Sequence, residues 1–141
     1  AAGGLARWRV GVEHPRGGVI AAAAETDDLG TYNAEQVDLL DSTFRRIGGP
    51  VLSLYRGGTD ESTFGPALQV HGNQFEQVGV ADDTSLRLHG VQFASIRDNR
   101  FDRSGRIRFS HRVGEPTLRM GDNPLTATAP LLSDTPVEAL P

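Results

Sequence analysis

Arginine, histidine and tyrosine recur in this chain at spacings suited to holding an acidic partner. Leu52-Ser-Leu54-Tyr55, Leu86-Arg87-Leu88-His89 and Ile107-Arg108-Phe109-Ser110 align as copies of one short alternating segment. Alternation in a strand sends Leu86, Leu88, Ile107 and Phe109 to one face, and Arg87, His89 and Arg108 to the other with Tyr55. Guanidinium groups bind carboxylates bidentately and a tyrosine ring can stack on a sugar. Tyr55, Arg87, His89 and Arg108, with His71 from a neighbouring series, are therefore the candidate contacts to an acidic polysaccharide. The plainer account of the same row is a solvated face.

Proton transfer would need a placed base, and imidazole or phenol can serve. His14, His71, His89, His111 and two tyrosines are present. Their spacing assembles no site, so no catalytic residue is assigned. All 14 basic residues are arginines, and no lysine occurs. Asp27-Asp28 and Asp82-Asp83 could offer oxygen ligands, but adjacent strand residues point apart, and no loop has the alternating carboxylates of a dedicated calcium site. Turn roles are the expectation for both pairs, and no metal ligand is assigned.

The absence of cysteine excludes disulfides and thiolate metal sites. A net charge of -4 gives no basic footprint for nucleic acid. No stretch approaches the roughly 18 apolar residues of a membrane-spanning helix, so neither nucleic acid nor membrane is an expected partner. The opening Ala-Ala-Gly-Gly lacks an initiator methionine and the features of a leader. A processed or excised N-terminus is the expectation.

What must position the candidate residues is a repeat. Val37-Asp-Leu39-Leu-Asp-Ser42-Thr-Phe44, Leu68-Gln-Val70-His-Gly-Asn73-Gln-Phe75, Ala94-Ser-Ile96-Arg-Asp-Asn99-Arg-Phe101 and Leu118-Arg-Met120-Gly-Asp-Asn123-Pro-Leu125 share one pattern. Their steps, read at positions 39, 70, 96 and 120, are 31, 26 and 24 residues. A second short strand falls between successive copies. Short β-units at such a period bury their faces by stacking on each other, which predicts an all-β parallel β-helix with about four recognisable rungs. Ser42, Asn73, Asn99 and Asn123 would then form one column of side chains bonded to each other and to turn backbone.

Rungs are assigned to 37–125. Residues 1–36 are read as N-terminal strands or a cap, continuing from a missing upstream domain: Trp8 to Val12 alternates like a strand, while Gly18 to Ala24 fits either a narrow rung or a short helix. Residues 126–141 carry three of the eight prolines and are read as a C-terminal tail over the surface. The longest period takes its excess from 56–66, Arg-Gly-Gly-Thr-Asp-Glu-Ser-Thr-Phe-Gly-Pro, a loop inserted in a rung. Its Arg56 is a further candidate substrate contact. Asp60 and Glu61 are candidates for a loop or domain interface, and either could pair with Arg56.

Tyr-Arg-Gly-Gly-Thr-Asp-Glu-Ser-Thr at 55–63, followed by Leu-Gln-Val-His-Gly-Asn-Gln-Phe and Leu-His-Gly-Val-Gln-Phe-Ala-Ser-Ile-Arg-Asp-Asn-Arg-Phe, resembles the C-terminal portion of polysaccharide lyase family 6. That family includes alginate lyases and chondroitinase B. The resemblance runs from about Leu39 to Phe109 and implies a right-handed parallel β-helix. It also implies β-elimination of uronate-containing chains, in which a base takes the C5 proton and calcium neutralises the carboxylate. The family's base is a lysine with an arginine partner in an earlier segment, so neither that pair nor the calcium cluster carries over to this lysine-free chain.

The resemblance thus implies the C-terminal β-helix part of a lyase, not catalytic alone and without a cofactor of its own. Its roles would be packing on an upstream catalytic β-helix domain or chain and contact with the acidic polysaccharide. Periplasmic or secreted location follows from the resemblance alone. The alternatives are a stand-alone carbohydrate-binding solenoid and a purely structural one.

Overall fold

Among the described strands, pairing runs between segments one repeat apart and not between consecutive ones. In the computed structural model the described residues are 36–54, 67–112 and 114–140, together with the backbone of Tyr55 and of three strands nearer the N-terminus. Those three are β1 (Leu5–Trp8), β2 (Gly11–Glu13) and β3 (Ile20–Ala23). Then follow β4 (Gln36–Leu40), β5 (Thr43–Ile47), β6 (Leu52–Tyr55), β7 (Ala67–His71), β8 (Gln74–Val78) and β9 (Thr84–His89). The next are β10 (Phe93–Arg97), β11 (Arg100–Asp102), β12 (Arg106–Ser110) and β13 (Thr117–Met120). The short strands β14 (Leu125–Thr126), β15 (Leu132–Ser133) and β16 (Val137–Ala139) complete the set.

Three all-parallel sheets result: a first of order β1-β4-β7-β10-β13-β16, a second of β14-β11-β8-β5-β2 and a third of β15-β12-β9-β6-β3. Each turn of the chain adds one strand to every sheet. No helix occurs among the described residues. The architecture is all-β and consistent with a parallel β-helix or solenoid.

The repeat steps reappear as register. Leu39 pairs with Val70, Val70 with Ile96, and Ile96 with Met120. Inward columns are apolar in all three sheets and form one core with Val37, Leu54, Leu68, Leu86, Leu88 and Phe109. The second sheet supplies an aromatic stack, Phe44 over Phe75 at 5.5 Å between ring centroids and Phe75 over Phe101 at 4.5 Å. Stacked rings gain more than the burial of their area alone.

The second sheet is also where the sequence reading counted short, finding two strands per repeat where there are three. Thr-Phe-Arg-Arg-Ile and Gln-Phe-Glu-Gln-Val each send only two apolar side chains inward, Phe and Ile or Val. Their charged outward residues make them look like turns.

Between the first and second sheets the chain turns through the asparagine column. Asn73 Oδ1 accepts from the Ser42 N–H at 3.0 Å, while Asn73 Nδ2 donates to Leu39 O and to Asn99 Oδ1, both at 2.9 Å. Asn99 Nδ2 in turn donates to Val70 O at 2.7 Å and to Asn123 Oδ1 at 2.8 Å. Asn73 and Asn99 are almost wholly buried. Buried amides are tolerable only when so satisfied. The residue before each of the first three members, Asp41, Gly72 and Asp98, has positive φ, the left-handed conformation that Asp and Gly tolerate.

At the corner between the second and third sheets the fit is tighter. Gly79 has a φ of 67°, and a Cβ there would lie 1.9 Å from Thr84 O. Only glycine fits.

At the N-terminal end one of the two alternatives left open by the sequence holds, and at the C-terminal end the structure departs from the sequence reading. Ile20–Ala23 is a strand paired with β6, which settles the small-residue segment as a rung instead of a helix. Residues 126–139 are not a tail. Leu125 pairs with Phe101, Ser133 with Phe109, and Val137 with Leu118. Pro124 and Pro136 stand immediately before β14 and β16, and Pro130 two residues before β15, positions where a missing N–H costs little. Prolines there mark strand starts, and the sequence reading took them for loop.

Candidate functional site

The outward face of the third sheet brings most of the candidate residues together. Register sets Ser53 beside Arg87 and Arg87 beside Arg108; one column over, Tyr55 lies opposite His89 and His89 opposite Ser110. Strand alternation forces this placement, because Leu54, Leu88 and Phe109 are committed to the core between them.

The guanidinium groups are tethered. Arg87 bonds Asp82 Oδ2, and Arg108 donates from Nε to Thr84 Oγ1 at 2.8 Å with a terminal nitrogen 3.9 Å from Asp83 Oδ2. These are exposed pairs of small energetic value, and each guanidinium has five N–H groups to distribute. The tethers orient the arginines more than they neutralise them. They also explain Asp82-Asp83: the two carboxylates hold arginines.

The described histidines are tied to the next rung. His89 Nδ1 lies 2.8 Å from Ser110 Oγ, His71 Nε2 lies 2.9 Å from Ser95 Oγ, and His111 Nδ1 lies 2.9 Å from Asp134 Oδ1. Asp134 also accepts from the His111 backbone N–H at 2.9 Å and from Thr135 Oγ1 at 3.0 Å. Burial would raise the Asp134 pKa, but these bonds outweigh it and hold the carboxyl below its ordinary value. Burial, followed by the Arg97 cation, lowers the His71 pKa.

His71 does not join the others. It sits on the first sheet, paired with Leu40 and Arg97, so the single column drawn from sequence divides between two faces. Apolar spacing gives the period but does not say which sheet a segment enters. Arg56, Asp60 and Glu61, with the whole loop 56–66, lie outside the described residues, as do His14 and Asp27-Asp28.

Sequence reasoning missed Asp134, because its region was read as tail. The signal was available in the spacing, since Asp134 follows His111 by 23 residues, close to the 24-residue step before it.

Beside this face lies an open cavity of about 340 Å³, lined by Arg108, Phe109, Ser110, Leu132, Ser133 and Asp134. The outward face of the second sheet differs in kind. There Arg45 and Arg103 both reach Glu76, at 3.4 and 3.3 Å, and Arg103 also reaches Asp102. That strip pairs its charges internally. Among the described residues no group of three or more histidine, aspartate or glutamate side chains is placed to hold a metal ion. No helix among them is long and apolar enough to cross a membrane, which says nothing of strands.

No protein-family model matches this chain, and no curated protein matches it.

Proposed function

We propose that this chain is the C-terminal, right-handed parallel β-helix part of an alginate-lyase-like polysaccharide lyase. It packs on an upstream catalytic β-helix and contacts a uronate-containing chain, without catalysing elimination alone. The observation that carries the reading is the in-register row of Arg87 and Arg108 beside His89 and Ser110 on one sheet face. Two successive rungs, those of β9 and β12, present a cation each, which suits consecutive carboxylates of a polymer. The resemblance of the 55–63 segment and the rungs after it supplies the substrate class, and with it a periplasmic or secreted location.

The packing role is favoured by the last strands. Leu125 and Val137 continue inward columns yet are 42% and 47% exposed. Apolar core positions left open favour a neighbouring surface over them. Calcium belongs to the catalytic part of the family by resemblance. The described residues offer no donor set for it, since Asp82 and Asp83 are engaged by arginines.

Affinity electrophoresis in alginate gels tests the reading, with ultraviolet detection of the C4–C5 double bond run alongside. The expected result is salt-sensitive retardation, weakened about tenfold or more in the Arg87→Ala/Arg108→Ala variant, with no unsaturated product. Equal retardation of the variant would remove the substrate-contact role. Product formed by the isolated chain would overturn the non-catalytic assignment.

A further inference from the structure

The cavity at the lower end of the third sheet gathers more chemistry than a solvated face needs. Arg108 lines it, and so do the Ser110 hydroxyl bonded to His89 and the Asp134 carboxylate bonded to His111. Leu132, 49% exposed, and Phe109 give it an apolar wall. Two imidazoles therefore act on groups lining the cavity, His89 on Ser110 and His111 on Asp134.

We infer that this cavity is a pH-responsive carboxylate site, in which Arg108 binds the anion and protonation of His89 turns the Ser110 hydroxyl into a second donor. A neutral imidazole can accept the Ser110 hydrogen at Nδ1. Protonated imidazole carries hydrogen on both nitrogens, so Nδ1 must donate to Ser110 Oγ and the hydroxyl hydrogen is released toward another acceptor. His111 acts through charge. With both imidazoles neutral, Arg108 and Asp134 cancel; protonated His111 neutralises Asp134 and leaves Arg108 and His89 cationic beside the cavity.

Among the described residues on the elements packed against the cavity, the other charged groups keep one charge state in this range. On the β9 side stand Arg87, Asp82 and Asp83, and Tyr55 lies opposite His89 on β6. Arg112 and Glu115 follow His111 in the chain. Carboxylates, guanidinium and phenol keep their charge state between about pH 5.5 and 7.5, where imidazoles exchange theirs. The inference rests on the reading that this face meets an acidic chain, and it adds the site, its donors and its regulation.

Calorimetric titration with alginate oligosaccharides at about pH 5.5 and 7.5, with a neutral gluco-oligosaccharide as control, tests it; uronate carboxylates stay ionised at both. Expected is binding about tenfold tighter at the acid pH. Ser110→Ala and His89→Gln should each reduce that ratio, leaving the part carried by His111, and Arg108→Ala should weaken binding at both. Circular dichroism confirms that each variant is folded. Binding with no pH dependence, or a ratio unchanged in Ser110→Ala, overturns the inference and leaves polymer contact standing. If the oligosaccharide does not bind but free glucuronate shifts the Arg108 Nε and His89 resonances at the acid pH, the cavity stands and the polymer reading falls. If neither probe acts, both fall.

Discussion

The two corners flanking the first sheet are built from the same device, a column of polar residues one rung apart, and they use it in opposite ways. At the corner into the second sheet, Ser42, Asn73, Asn99 and Asn123 repeat nearly one residue type, and the amides of Asn73 and Asn99 bond only backbone or other asparagines of the column. At the corner out of the third sheet, His89, Ser110, His111 and Asp134 differ in type, stand partly exposed and line or flank a cavity. Uniform residues in a buried column saturate one another and fix geometry. Mixed residues in an open column leave hydrogen-bonding capacity for something else.

Breaking the buried corner should have the largest effect. Asn99→Ala removes the acceptor of Asn73 and the donor to Val70 O, leaving buried groups unmatched. A loss of about 3 kcal/mol or more is expected in urea denaturation. Asn123→Ala, at the half-buried end of the column, should cost about 1 kcal/mol, and equal losses at the two positions would show that the column is not cooperative. Phe101→Ala should cost about 3 kcal/mol, against well under 1 kcal/mol for the exposed Leu125→Ala continuing the same column.

The open corner should respond to pH more than to truncation. Because the Asp134 pKa is lowered in the folded state, its contribution is present above the ordinary carboxylate range and lost as pH falls through the folded value. Asp134→Asn should lower stability at neutral pH, where that contribution is fully present, and flatten the acid limb of the stability curve. The smallest effect belongs to His71. Its folded pKa is also lowered, so stability is full above about 6.5 and declines as pH falls below that value. His71→Gln should remove that slope in urea midpoints measured across the window.

Period and core were legible in the sequence because burial imposes them. Leu39, Val70, Ile96 and Met120 are inward at the steps read from sequence, and the asparagines stack as the turn chemistry requires. Phe44, Phe75 and Phe101 were visible, but their strand was not, since Arg45, Glu76 and Arg103 surround the rings with charge. The Arg87 and Arg108 pairing was legible for the same reason as the core. The His111–Asp134 contact was not, because it joins a rung to a segment whose three prolines looked like loop.

The asparagine column makes a whole turn of this chain an interchangeable part. Excision of residues 74 to 99 would join Asn73 to Arg100, put Asn73 in the place of Asn99, and bring Phe44 against Phe101 and Val70 against Met120. Each sheet would lose one strand and keep its register. A cut of one residue more or fewer would send every later side chain to the wrong face. Length in such a molecule can change by full turns, as thread does on a bolt, and the 26-residue spacing of Asn73 and Asn99 is its pitch.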